Sequence, residues 1–160
     1  MVTILHYVNK EIKRLSIKEL AQALQQPSGK FWVDLENPSD AEEETLMVSL
    51  LDFHPLAIED CQRGTDEEGH LPKVEDFGQY LFIIFNPLEN VKSQETEKAK
   101  TKIEIKTTQL SAFLSKRVLV THHYKPLHSI AYALQMCSKN AQVMGKGPDF
   151  IFHLIIDDIV

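Results

Sequence analysis

Two pairs of adjacent carboxylates are the residues of this sequence whose type and spacing could do chemistry. Glu59 and Asp60 end a helix predicted over about 55–62, where the helix dipole is negative and the two charges repel each other. Asp157 and Asp158 repeat this arrangement in a segment that is otherwise apolar. Side chains that offer only oxygen suit a hard cation such as Mg²⁺ better than zinc. Solvated acids at helix ends are the simpler interpretation, and a cation site is the alternative to it.

The negative charge of the chain is concentrated in one stretch. The formal net charge is −6, and residues 52–76 hold eight acidic and two basic residues, which is the whole excess of six. A concentrated negative field disfavours binding to nucleic acids and to anionic membrane surfaces, and it attracts cations. A solvated acidic loop would explain the same charge pattern, so this interpretation also stays open.

Other kinds of reactive site find little support in the sequence. The six glycines form neither of the two common phosphate-binding motifs, and no G-x-S-x-G motif is present. His122 and His123 directly follow a predicted strand, so their side chains point to opposite faces and are unable to bind one metal together. The acids beside Cys61 are expected to raise the pKa of its thiol and weaken it as a nucleophile. We therefore predict that the chain is not an enzyme, and keep a soluble hydrolase using His122 or Cys61 as an alternative.

Length and composition are those of one globular domain. The chain has 160 residues, of which 43% are hydrophobic and 25% charged. It contains no run of about 20 apolar residues, so we expect neither a membrane span nor a signal peptide within it. Cys61 and Cys137 lack a metal-type spacing and fit a reducing cytosol. An apolar helix that begins at Pro148 has no end signal, so we expect an excised cytosolic domain.

The elements that must position the carboxylates alternate between helices and strands. Two capping boxes, at 16–19 and 39–42, predict the starts of two helices. The continuous apolar run at 80–85 predicts a central strand buried on both faces, and 89–106 reads as a hairpin with a mobile tip. Further strands are predicted at 1–7, 31–35, 110–114 and 118–121, and a further helix around 130–137. This interleaving predicts an α/β fold with helices on both faces of a mixed sheet.

Several of these segments resemble the CorA family of divalent-cation channels. The segments are Phe31-Trp32-Val33-Asp34-Leu35 with Asn37-Pro38, His54-Pro55-Leu56-Ala57-Ile58-Glu59-Asp60, Pro72-Lys73-Val74-Glu75, Leu119-Val120-Thr121-His122 and Gly147-Pro148-Asp149-Phe150. The resemblance covers about residues 31–160, and the pairing of H-P-L-x-x-E-D with P-K-V-E is its specific part. The stretch 63–71 looks longer and more acidic than is usual in the family.

The resemblance implies an α/β/α sandwich with a mixed central sheet, ending in the start of a long stalk helix. Residues 1–147 would be a cytosolic regulatory domain and 148–160 the start of the stalk, in a homopentamer at the cytoplasmic face of the inner membrane. Transmembrane helices and a G-M-N motif would follow after residue 160, and no nucleic acid is expected as a partner. Regulatory Mg²⁺, or Co²⁺ or Ni²⁺ in its place, would bind between neighbouring domains. Asp60 matches the family's gating-site aspartate, whereas Glu59 and Asp157 match residues implicated in a second site.

The predicted function is therefore a cytosolic Mg²⁺-sensing regulatory domain of a pentameric magnesium or divalent-cation channel, gated by metal bound between subunits. Mg²⁺ between carboxylates of neighbouring subunits would hold a closed ring, and its loss would let like charges repel and the pore open. A zinc-transporting relative of the family is the first alternative, and the soluble hydrolase is the second.

Overall fold

A seven-stranded mixed sheet forms the centre of the computed structural model, which describes residues 1–65, 70–89 and 106–160. In these three ranges the strands are β1 (Val2–Val8), β2 (Glu11–Arg14), β3 (Lys30–Glu36), β4 (Lys73–Asp76), β5 (Leu81–Phe85), β6 (Leu110–Leu114) and β7 (Val118–His123). Their order across the sheet is β2-β1-β3-β7-β6-β5-β4. Each neighbouring pair is antiparallel except β3 and β7, which run parallel at the middle of the sheet.

Helices cover both faces of this sheet. They are α1 (Ile17–Leu24), α2 (Asp40–Glu43) continued by a π-helix (Glu44–Leu50), α3 (Pro55–Gln62) followed by a 3₁₀ turn (Arg63–Thr65), α4 (His128–Lys139), α5 (Ala141–Gly145) and α6 (Pro148–Ile159). One core joins the sheet to α1, the π-helix and α3, and a second core joins its other face to α4, α5 and α6. Alternate residues of β3 enter the two cores, with Phe31 in the first and Trp32 in the second. The predicted α/β/α sandwich is confirmed.

Local sequence signals explain where the helices begin. In both predicted capping boxes a serine hydroxyl accepts from the backbone N–H three residues on, and the glutamate there accepts from the serine N–H; the pairs are Ser16–Glu19 and Ser39–Glu42. At the start of α3, Nδ1 of His54 accepts from the backbone N–H of Leu56 at 3.2 Å, with Pro55 as first helical residue. His54, the first residue of the H-P-L-x-x-E-D motif, therefore caps the helix that carries Glu59 and Asp60.

Some elements differ from the sequence prediction. The second predicted helix is α-helical for only four residues and then widens, so that the N–H of Leu51 donates to the carbonyl of Leu46, five residues back. Strands β2 and β4 and helix α5 were not predicted. The ends of the predicted 89–106 hairpin are paired, since Glu89 N–H donates to Lys106 O at 2.8 Å, but 90–105 lie outside the described residues.

The last helix packs as part of the domain. Ile151 and Ile155 of α6 are fully buried in the second core, one helical turn apart. Among the described residues, no helix has the length and apolar character that crossing a membrane requires. The division between a regulatory domain over 1–147 and a stalk from 148 stays a prediction.

Candidate functional site

Asp60 lies in α3 with its carboxylate against the edge strand β4. The Lys73 ammonium approaches Oδ2 of Asp60 at 2.5 Å and Oε1 of Glu75 at 2.9 Å, so one ammonium is shared by two carboxylates. Nε2 of His70 lies 3.5 Å from the other oxygen of Asp60. The side chain of Asp60 is 18% exposed, which leaves part of its carboxylate open to solvent. This arrangement joins the two motifs, H-P-L-x-x-E-D and P-K-V-E, at one place on the surface.

The electrostatics of this cluster favour a cation. Burial acts to lower the pKa of Lys73, but hydrogen bonds to Asp60 and Glu75 outweigh it and raise the pKa above its ordinary value. The backbone carbonyl of Asp60 is fixed separately, because the Gln109 side chain donates to it at 2.8 Å. Two carboxylates with one ammonium keep an excess negative charge at a site that solvent can reach. Oxygen ligands that are partly exposed suit an ion that keeps several waters.

The other acids predicted as metal ligands also have basic partners in their own chain. Glu59 forms an ion pair with Arg63, one helical turn on, and its side chain is 50% exposed. Asp157 lies 3.3 Å from Nε2 of His153, also one turn away, and is 64% exposed. The neighbouring Asp158 accepts from Nδ1 of His128 at 2.9 Å. Pairs this exposed contribute little to stability, so their partners are readily exchanged for another cation.

The three predicted ligands are not brought together within one chain. Across residues 1–65, 70–89 and 106–160, a single group of three possible ligand side chains has donor atoms within 4.8 Å of one another, and it consists of Asp34, Glu36 and His123. A site shared by neighbouring chains would leave the predicted acids apart in this way. Their role as metal ligands stays a prediction.

Each of the two histidines of β7 pairs with a buried acid that the sequence analysis did not identify as its partner. His122 and His123 point to opposite faces of the sheet, as predicted, and both are buried. Nε2 of His122 lies 2.7 Å from Oε1 of Glu43, whose other oxygen accepts from Gln62 at 3.0 Å. Burial acts to raise the pKa of Glu43, but hydrogen bonds from its partners outweigh it and hold the pKa below the ordinary value. The sequence signal for this pair was weak, because Glu43 is one of three consecutive glutamates and only its spacing of three and four residues from Leu46 and Met47 places it on the inner side of the helix.

On the opposite face, His123 pairs with Asp34. Nε2 of His123 lies 3.1 Å from Oδ1 of Asp34, and its Nδ1 lies 2.7 Å from the carbonyl oxygen of Lys125. The hydroxyl of Thr121 donates to the same Asp34 oxygen at 2.5 Å. Burial acts to lower the pKa of His123, but the hydrogen bond and charge of Asp34 raise it above the ordinary value. An acid inside a strand of otherwise buried residues was the signal that sequence reasoning missed.

Neither residue proposed for a hydrolase is placed for catalysis. Cys61 is buried, and burial together with the negative charges of Glu43 and Asp60 raises the pKa of its thiol far above the ordinary value. The thiol is therefore protonated at neutral pH and closed to solvent. His122 is 1% exposed and already bonded to Glu43. Cys61 packs within the first core, and His122 pairs with Glu43 on the same face of the sheet.

A family model matches most of this chain, and a curated relative is similar to it. Residues 28–160 match the model of the family described as CorA-like Mg²⁺ transporter protein. The chain is 29% identical over 130 residues to YfjQ of Bacillus subtilis, which is named as a metal ion transporter; the match covers 81% of this chain and 35% of YfjQ. Thus the chain spans about a third of the length of that relative.

Two solved structures show the same fold. The full-length CmaX protein superposes with a TM-score of 0.71 at 14% identity, covering 98% of this chain and 44% of CmaX. The soluble domain of CorA from Methanocaldococcus jannaschii superposes with a TM-score of 0.62 at 20% identity, covering 98% of this chain and 55% of that domain. At this level of identity, the likeness concerns the fold alone.

Proposed function

This chain belongs to the family of CorA-like Mg²⁺ transporter proteins, and we propose that it is the cytosolic domain through which such a transporter senses Mg²⁺. Residues 1–147 form the regulatory part and 148–160 begin a stalk helix that leads to membrane helices further along the protein. The working form is a pentamer at the cytoplasmic face of the membrane. The family carries metal ions and is not an enzyme family, which agrees with the burial of Cys61 and His122.

The observation that supports this proposal is the excess of carboxylate at Asp60. Lys73 is shared between Asp60 and Glu75, so one negative charge is left over where Asp60 meets solvent. In the sequence this cluster lies in the stretch 52–76, which carries all of the net negative charge. Asp60 is also the residue that matches the family's gating-site aspartate.

The donor chemistry at Asp60 fits a regulatory Mg²⁺. Asp60, Glu59 and Asp157 offer only carboxylate oxygens, and each is partly or largely exposed. Mg²⁺ prefers such oxygens and retains part of its water, so it does not need a closed protein cage. Co²⁺ or Ni²⁺ would be accepted in its place, because both also bind oxygen ligands.

Regulation would follow from the charges of neighbouring subunits. Acids that face each other across a subunit interface repel unless a cation lies between them. A closed ring that binds Mg²⁺ more tightly than an open ring would be favoured at high cytosolic Mg²⁺ and would give way as the concentration falls. The carboxylates of Asp60, Glu59 and Asp157 supply this differential binding, and the pore lies outside this chain.

Asp60→Asn in the full-length protein tests this proposal. Asparagine keeps the shape of the side chain and removes its charge. Transport measured in proteoliposomes with Mg²⁺ varied on the cytosolic side should lose part of its inhibition by Mg²⁺. Asp66→Asn is the charge-matched control, since Asp66 belongs to the same acidic stretch of the sequence but not to the motif.

The two variants together separate three outcomes. Loss of inhibition in Asp60→Asn alone supports a coordinated ion at Asp60. Unchanged inhibition in both variants would make Asp60 a solvated acid and remove it as a ligand. Equal loss in both would show that the acidic field acts as a whole, again without a defined site at Asp60.

A further inference from the structure

We propose that Asp34, Glu36 and His123 form a second cation site, selective for transition-metal dications such as Zn²⁺ and independent of the proposed role of Asp60. The site lies at the carboxyl ends of β3 and β7, the parallel pair at the centre of the sheet. In the register of these strands, Asp34 lies beside Thr121 and Glu36 beside His123. Asp34 and Glu36 are two residues apart and therefore share a face of the sheet. Parallel strands commonly present their ligand sites at this end.

The donor atoms are already close enough to share one ion. One ligand atom from each of the three side chains lies within 4.8 Å of the other two. Nε2 of His123 and Oδ1 of Asp34 are 3.1 Å apart. Two ligands bound tetrahedrally at about 2.0–2.1 Å from one zinc ion are roughly 3.3 Å apart. A dication would thus need an adjustment of only a few tenths of an ångström at this pair.

The orientation of His123 is that of a metal-binding histidine. Its Nδ1 lies 2.7 Å from the carbonyl oxygen of Lys125, and a carbonyl can only accept, so Nδ1 carries a hydrogen. Nε2 is consequently the nitrogen turned toward the carboxylates. Ligating histidines usually donate their other ring N–H to a carbonyl or carboxylate in this way, which fixes the ring. His123 is itself completely buried, so this orientation is rigid.

The Asp34 carboxylate is also oriented by hydrogen bonds from its own side of the sheet. The Thr121 hydroxyl donates to Oδ1 of Asp34 at 2.5 Å, and the indole N–H of Trp32 donates to that hydroxyl at 3.0 Å. Hydrogen bonds of this kind orient a ligand before the ion arrives. Glu36 is half-buried and provides the open side of the site, where water can complete the coordination.

The charge and the donor types select the class of ion. In the metal-free pair, Nε2 of His123 holds a proton that it donates to Asp34. A bound dication takes the place of this proton, which is released to water, and neutralises the charge of −2 on the two carboxylates. Imidazole suits zinc, nickel and copper, whereas Mg²⁺ takes oxygen ligands and loses its water reluctantly. The buried imidazole therefore separates this site from Asp60, where the ligands are oxygen alone.

Trp32 provides a built-in reporter for the test. It is the one tryptophan of the sequence, and it is bonded to the Thr121 hydroxyl that holds Asp34. Co²⁺ is the probe, because it quenches nearby indole fluorescence and its visible absorption strengthens when water is replaced by a nitrogen and oxygen set of low coordination number. The 160-residue chain, without a histidine tag, is titrated with Co²⁺ and then with competing Zn²⁺ or Mg²⁺.

Glu36→Gln is the decisive variant, since it removes one ligand and leaves the buried His123–Asp34 pair intact. Glu11→Gln, on the exposed strand β2, is the charge-matched control, and Asp60→Asn reports on the other proposed site. The expected result is saturable quenching by one Co²⁺ that Zn²⁺ reverses and Mg²⁺ does not. Binding should weaken at least about tenfold in Glu36→Gln and stay unchanged in the other two variants.

Three results would overturn the site. The first is the absence of saturable quenching and of strengthened visible absorption in the unmodified chain, which would make the His123–Asp34 pair structural only. The second is unchanged affinity in Glu36→Gln. The third is an equal loss of affinity in Asp60→Asn, which would place the ion elsewhere. The visible absorption of bound Co²⁺ is measured on the unmodified chain, so the site can still be refuted if Glu36→Gln fails to fold.

Discussion

The Lys73 ammonium is the positive charge that lies beside Asp60 in this chain. Its removal should therefore show how far the stability of the domain depends on a cation at this cluster. Lys73→Met keeps the aliphatic stem and removes the ammonium that bonds to both Asp60 and Glu75. The two carboxylates would then face each other without a positive charge between them. We expect the metal-free domain to become less stable.

The size of the loss follows from the exposure of the pairs. Lys73 is 30% exposed, Asp60 18% and Glu75 44%. Exposed pairs are worth about 0.2–1 kcal/mol each, and a partly buried acid left unpaired costs more than that. We expect a loss of about 1–2 kcal/mol in the free energy of unfolding at neutral pH and low salt. For a domain of this size the melting temperature falls by roughly 2–4 °C per kcal/mol.

Added Mg²⁺ should return more of this stability to the variant than to the unmodified chain. If Asp60 is a ligand, the ammonium and the ion would compete for the same carboxylate, so Asp60 without Lys73 would bind Mg²⁺ more tightly and the domain would gain more stability from the ion. Thermal melts followed by circular dichroism, without Mg²⁺ and at a series of increasing Mg²⁺ concentrations, measure this gain as a shift in melting temperature. Lys18→Met, at an exposed position of α1, is the control for the loss of one positive charge. If Lys73→Met melts at or above the unmodified temperature without Mg²⁺, or gains no more from Mg²⁺, competition for Asp60 is refuted.

Two further changes test the packing of the domain. Glu43 has a pKa held below its ordinary value of 4.5, so it adds stability above about pH 4.5 that is lost as the pH falls through the lower, folded-state pKa. In urea unfolding measured from pH 3 to 7, Glu43→Gln should therefore lose less stability than the unmodified chain as the pH falls. An equal loss in both would contradict a lowered pKa of Glu43. Gly29 has φ +102°, and a Cβ there would lie 2.4 Å from Nε2 of His6. Gly29→Ala should lower the urea midpoint by the equivalent of at least about 1 kcal/mol, and a midpoint that stays the same would contradict this close approach.

Much of the fold could be predicted because its signals are local. A capping box is complete within four residues, and an apolar run such as 80–85 identifies a buried strand without knowledge of its neighbours. Strands β2 and β4 were missed because both are edge strands made mostly of charged residues, as edges commonly are. Their strand form depends on pairing with β1 and β5, and pairing is not a local property of the sequence.

The candidate sites show the same limit more strongly. The sequence could identify Asp60 and Glu59 by type and position, but it could not show that the Lys73 ammonium, 13 positions along the chain, bonds to Asp60. His123 and Asp34 are 89 positions apart, and the register of two parallel strands brings them together. The alternation of side chains along a strand correctly excludes the two histidines as joint ligands of one ion. The acid that each histidine contacts on its own face of the sheet depends on tertiary structure, which the sequence does not show.

The two proposed cation positions are suited to different tasks by their surroundings. At Asp60 the proposed ligands are oxygens near solvent, already balanced in part by Lys73, so an ion there would bind weakly and would exchange as its concentration changes. At Asp34 and His123 the ligands are buried, pre-oriented and include an imidazole, so an ion there would be held more tightly and released slowly. A sensor needs the first kind of site, because its occupancy must vary over the working range of the ion. The second kind would stay filled, fix the central parallel strands and leave the response to Mg²⁺ unchanged. Stability gained from Zn²⁺ without any effect on Mg²⁺ inhibition would separate these two roles in one protein.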